Sequence, residues 1–137
     1  MLSRIRKQDA DQGFTLIELL VVMIIIGILA AIAIPTFLNQ RNNGYRTAIK
    51  SDLKNAAIAA ESFATDNGGD YSGLTDATLA DARGTGVTAE VTVTVAWATG
   101  TAYCVEGVHS ALTTAPTQFY YSSLEGAPLE GACPAAP

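Results

Sequence analysis

The chain reads as an α+β protein, with a long N-terminal α-helix whose membrane-spanning first half leads into a second half packed against a small antiparallel β-sheet head of about three strands. Three observations predict this. From Leu19 to Ile34 every residue is apolar or glycine. Beyond Pro35, apolar side chains recur at helical spacing as far as Phe63. After a break at Asn67-Gly68-Gly69 the period changes to two over residues 87–98.

The first element is short and polar. Residues 1–13 carry Arg4, Arg6 and Lys7, then Asp9, Asp11 and Gln12, and end at Gly13. A secretory signal places its apolar region before the cleavage site; here the apolar run follows the glycine, so a cut at Gly13 would keep the membrane segment in the mature chain.

Counted from Phe14, that run reaches about 30 Å at the helical rise of roughly 1.5 Å per residue, enough to cross a bilayer. It is hydrophobic on all faces, which excludes the half-exposed helix of a soluble domain. A plain single-pass anchor would explain this much, but not Glu18. A carboxylate in a spanning segment costs roughly 2.5–3.5 kcal/mol even on gentle insertion scales. Proteolysis after Gly13 would create its counter-charge, a new α-amino group on Phe14. Within one helix the two groups would meet at i,i+4 spacing; between staggered helices the same pair would fix how far one subunit rises above the next.

The stretch Gly13-Phe14-Thr15-Leu16-Ile17-Glu18-Leu19-Leu20, with the apolar run and Pro35 after it, resembles the type IV pilins and their pseudopilin relatives. The likeness covers about residues 1–65; the head matches in general layout only. It implies cleavage by a prepilin peptidase after Gly13, N-methylation of Phe14 and packing of the apolar helices into a filament core. It also implies that Gly27 through Pro35 can lose helical order on assembly, which suits two poor helix formers. The expected division is a leader at 1–13, a filament-core helix at 14–35, an amphipathic helix at 36–67 and a head at 68–137.

The amphipathic half places Leu38, Tyr45, Ile49, Leu53, Ala56, Ala60 and Phe63 in one stripe. Arg46, Lys50 and Lys54 form a row elsewhere on the helix, read either as a solvated face or as a contact for acidic heads of neighbouring subunits. Residues 67–86 are a polar connection with a short helix from about Asp76 to Arg83. Asp66, Asn67 and Asp70 suggest calcium only weakly, because the spacing and closing glutamate of an EF-hand are missing; turn chemistry is the favoured reading.

The head follows as strands. Val91, Val93, Val95 and Trp97 alternate with Thr92, Thr94 and Ala96, with Trp97 expected in the core rather than as a ligand platform. Ala102 to Val108 return after a turn at Thr99-Gly100, and Gln118 to Ser122 make a third strand. So small a head rarely gains more than about 3–5 kcal/mol from its core alone. Cys104 and Cys133 read first as an extracytoplasmic disulfide, the alternative being unpaired buried thiols. A bridge of that span would contribute on the order of 3.5 kcal/mol.

Catalytic chemistry is hard to place. His109 is the single histidine among 137 residues, without HExxH, CxxC or a phosphate-cradling glycine loop, so neither zinc nor a histidine triad is expected. No cofactor or metal is expected either. A net charge of −5 disfavours DNA binding through a basic surface. Basic residues flank both ends of the span, so charge counting leaves orientation open; the resemblance and the cysteines place the leader inside and the head outside.

The leading expectation is a non-enzymatic major subunit of a surface filament used in adhesion, motility or DNA uptake. Its expected partners are identical or related subunits in a homopolymer, a prepilin peptidase, an assembly platform in the membrane, and lipid before assembly. A pseudopilin of a secretion or competence system is the alternative within the family. A membrane-anchored binding domain that never polymerises is the alternative from another class.

Overall fold

A computed structural model describes residues 13–84 and 88–137 of the chain. Most of the expected leader and the expected strand start at Val87 lie outside these residues. Six elements follow in order: α1 (Leu16–Asp66), α2 (Asp76–Arg83), β1 (Val91–Ala98), β2 (Tyr103–His109), β3 (Gln118–Ser122) and β4 (Pro128–Glu130). The chain divides into two units, the first ending at Leu38 and the second beginning at Asn39.

The first unit is the apolar half of α1. The helix starts where Thr15 Oγ1 accepts the Glu18 N–H at 3.3 Å, satisfying one of the donors a helix N-terminus leaves open. Pro35 lies inside it, one residue before Thr36, whose hydroxyl donates to the Ile32 carbonyl at 3.0 Å. Gly27 through Pro35 is helical in the single chain. Leu38, expected in the buried stripe, is 49% exposed.

In the second unit the stripe is otherwise as expected. Ile49, Leu53, Ala56 and Ala60 are buried with Ala57, Ala59 and Ala64, and Tyr45 and Phe63 pack at their margin. The helix ends at Asn67-Gly68-Gly69. The Gly69 N–H donates to the Ala64 carbonyl at 2.7 Å, and Gly68 and Gly69 hold positive φ angles of 71° and 90°, the backbone region glycine enters without a Cβ clash. The short helix α2 spans the predicted residues. Thr75 caps it, and Thr78 returns the bond to the Thr75 N–H at 2.8 Å, a reciprocal box with threonine where glutamate is commoner.

The sheet is antiparallel, in the order β1-β2-β3-β4. One more strand is present than the sequence suggested: β4 is three residues long and contains a proline, too short to show a period. The return strand runs one residue later than expected, and the polypeptide at 88–90 turns rather than extends, with the Val91 N–H on the Thr88 carbonyl at 3.0 Å.

Trp97 is the main correction. Val95 faces Val105 while Trp97 faces Cys104, so Ala96 is an extra residue in the ladder. A bulge of this kind reverses the alternation beyond it. Trp97 therefore leaves the face of Val91, Val93 and Val95 and joins Cys104 on the opposite one, while Ala98 packs against the core instead.

Successive turns of α1 meet the inward residues of β2 in reverse order. Tyr45 stacks on His109 at 4.2 Å, Ile49 and Leu53 lie over Gly107, and Ala57 accepts the Tyr103 hydroxyl at 3.3 Å. The closest approach is at Gly107, where a Cβ would stand 2.8 Å from Ile49 Cγ2 and 3.2 Å from Leu53 Cγ. Gly107→Ala should destabilise the head by about 1–3 kcal/mol through overpacking, measured as a shift in its denaturant midpoint; an unchanged midpoint would refute this account of the contact.

Candidate functional site

The N-terminal site is built from residues that no described residue of the first unit covers. Phe14 is 81% exposed, and Leu16 through Leu38 present their large apolar side chains outward all round the helix. None of the most apolar window is buried. Glu18 sits in the first turn of α1, where the helix dipole favours an anion. Among the described residues no cation lies within ion-pair distance of it. Gly13 and Phe14 precede the helix rather than continuing it, so the i,i+4 geometry imagined for Phe14 and Glu18 within one helix is absent. Gly27 and Pro35 lie inside α1, and a Cβ at Gly27 would meet nothing within 4 Å.

The head carries three arrangements. The first is a strap on the outer face of the sheet. Cys104 and Cys133 form a disulfide across 29 positions of sequence. Beside it Glu106 accepts the Cys133 N–H and the Gln118 side-chain amide, each at 2.7 Å, and the Trp97 indole donates to the Pro134 carbonyl at 2.7 Å. Covalent bond, carboxylate and indole converge on the same tail, and Cys104 is buried beneath it.

The second is a tyrosine cluster around Glu61. Tyr71 donates to Oε2 at 2.7 Å and Tyr103 to Oε1 at 3.3 Å. The hydrogen bond to Glu61, helped by burial, pushes the Tyr71 phenol up to about 12. Burial first, and then the Glu61 charge, raise Tyr103 as well.

The third concerns the basic row, whose members have different duties. Arg46 donates to the carbonyls of Thr114 and Ala115 at 3.2 and 2.9 Å, tying down the loop after β2. Lys50 lies 5.1 Å from the Phe119 ring centre, and Lys54 is exposed. Asp70 accepts the Ser72 N–H at 2.7 Å, a turn bond that lowers its pKa and gives this acid a role without calcium. Among the described residues no three His, Cys, Asp or Glu side chains cluster to hold a metal ion. Arg46's grip, Glu106's two bonds and the burial of His109 all escaped sequence reading, because each depends on partners many residues away.

An apolar helix able to cross a bilayer, followed by a small stapled antiparallel head, defines a membrane-anchored structural protein of pilin-like layout. The model of the prokaryotic N-terminal methylation motif matches residues 9–34. The type IV wide pilus major component of Thermus thermophilus is 36% identical over 99 residues, covering 72% of this chain and 74% of that protein. The type IV major pilin of Myxococcus xanthus is 47% identical over 58 residues, or 42% of this chain. The type II secretion system core protein G of Pseudomonas aeruginosa is 42% identical over 62 residues, or 45% of this chain. The matches span only 26% and 42% of the length of these last two relatives. The chain belongs to the type IV pilin family.

Two outcomes follow from the head. Cys104→Ser should cost about 2–5 kcal/mol of head stability, read by thermal unfolding with and without reductant; a melting temperature equal to the wild type would count against the staple. Because the folded Tyr71 pKa stands above the ordinary 10.0, the stability it lends is full below pH 10.0 and is lost as pH rises through about 12. Tyr71→Phe should flatten that alkaline loss in a pH series of unfolding free energies.

Proposed function

We propose that this chain is the major structural subunit of a type IV pilus-like surface filament, with a structural rather than enzymatic role. In this reading a prepilin peptidase cuts after Gly13, Phe14 becomes the N-methylated terminus, and residues 14–35 anchor the subunit in the membrane before packing into the filament core. The head stands outside, where its disulfide forms, and a membrane assembly platform adds identical or related subunits to a homopolymer. Adhesion, motility and DNA uptake are the uses such a fibre serves.

The supporting observation is the uncovered apolar half of α1 with one acid in its first turn. Lipid can cover the apolar surface, but only a positive partner makes Glu18 inexpensive there. A cleaved Phe14 amine on a neighbouring subunit supplies it. The similarity to a secretion-system core protein favours, as the second reading, a pseudopilin working in a short periplasmic filament.

The test combines processing with assembly. Mass spectrometry of fibres sheared from cells should show a chain starting at methylated Phe14. Glu18→Gln should be inserted and cleaved normally yet give on the order of a hundredfold less fibre or lower, since breaking a charge pair in a low-dielectric core costs ~3–5 kcal/mol. Wild-type fibre yield from that variant would remove the pairing. A solitary membrane protein beginning at Met1 would remove the function itself and favour a non-polymerising anchored domain.

A further inference from the structure

We propose that His109 is a proton-operated latch on the surface loop between β2 and β3: the neutral ring fastens the turn at Ala111, and the protonated ring releases it. The ring closes β2, buried on the core side of the sheet. Its Nδ1 accepts the Ala111 N–H at 3.1 Å. A neutral imidazole has one acceptor nitrogen and a protonated one has none. Protonation therefore sets two N–H groups against each other, and the buried ring, stacked on Tyr45 at 4.2 Å, has little room to turn away. The yielding partner is the turn at Ser110-Ala111.

Every charged group around the ring bears on this step. With Nδ1 accepting, the proton of the neutral ring is on Nε2, which faces Glu90 Oε2 at 3.6 Å. Glu90, from the turn before β1, is solvent-exposed. Arg41, from α1, lies 5.4 Å from the centre of the same Tyr45 ring and donates to the Tyr45 hydroxyl; a second cation beside that ring is opposed by it. Arg46, also from α1, holds the far end of the loop through Thr114 and Ala115, and Leu112 is sunk in the core between the two fastenings. Loss of the His109 bond thus releases the Ala111 N–H alone, because the Ser110 N–H stays on the Glu90 carbonyl and the Leu112 N–H on the His109 carbonyl, each at 3.0 Å, while Arg46 keeps the far end, so the turn at Ala111 loosens without the head unfolding. The device is independent of whether the chain polymerises.

The test is hydrogen exchange on the full chain in detergent micelles at about pH 8 and about pH 5, the interval over which imidazoles change charge. After correction for intrinsic rates, the Ala111 amide should exchange roughly fivefold faster in acid, the change expected from losing one hydrogen bond, while the Ser110 and Leu112 amides and the β1–β2 ladder keep their protection. In His109→Asn the side-chain oxygen replaces Nδ1 as acceptor and cannot be protonated, so the acid effect should vanish. Equal acid effects in both proteins, or protection lost across the whole head, would overturn the latch. Should the variant fail to fold, the ring nitrogen shifts of the wild type decide: a neutral ring protonated on Nδ1 overturns the proposal, and one protonated on Nε2 supports it.

Discussion

The apolar half of α1 is uncovered by anything in its own unit, and the demands on the rest of the chain stem from that. Side chains such as Phe14, Leu16 and Ile17 are between 70% and 82% exposed. Each would release about 1.5–3 kcal/mol on full burial. Only lipid tails or other apolar helices can supply that burial at this length and on all faces. The two settings differ in what they do to Glu18, because lipid leaves it unpaired whereas a helix assembly can bring a cation to it. The Thr15 cap and the helix dipole lower the cost of this carboxylate without removing it.

The head solves a different problem, that of a small core. A run of alanines at positions 56, 57, 59, 60 and 64 lets the sheet come close to α1. Bulk then comes from the sheet side, in Tyr103, Val105 and Phe119. Where α1 carries larger residues, at Ile49 and Leu53, the sheet answers with Gly107. Large meets small in both directions, which is how a thin core reaches native density. The disulfide then acts on the opposite face of the sheet, so staple and core stabilise the same strand, β2, from its two sides.

What could be read in advance follows from how local each signal is. The long helix, α2 and the third strand were legible because period, caps and breakers lie within a few residues of one another. Trp97 was misplaced because alternation assumes an unbroken ladder, and the bulge at Ala96 is a property of the β1–β2 pairing rather than of either strand alone. β4 was missed because three residues, one a proline, carry no period. Leu38 fitted the wheel but closes the first unit and is half exposed. At the N-terminal site Gly13, Phe14 and Glu18 were legible as chemistry, whereas the placement of Phe14 ahead of the helix required coordinates.

The glycines separate what the chain needs for itself from what it needs from others. At Gly107 a Cβ would collide with α1, so the head's own packing explains the residue. At Gly27 a Cβ would meet nothing within 4 Å, and glycine in a helix interior costs about 1 kcal/mol relative to alanine. Pro35, eight positions on, removes a further backbone donor from the same helix. Among the described residues nothing packs at Gly27 to offset its cost. In the filament proposed for this chain, compensation would come either from a neighbouring helix that approaches closely at Gly27 or from a state in which the segment between Gly27 and Pro35 gives up its helical bonds. Both belong to an assembled helix rather than to a solitary anchor, for which alanine at position 27 would serve better.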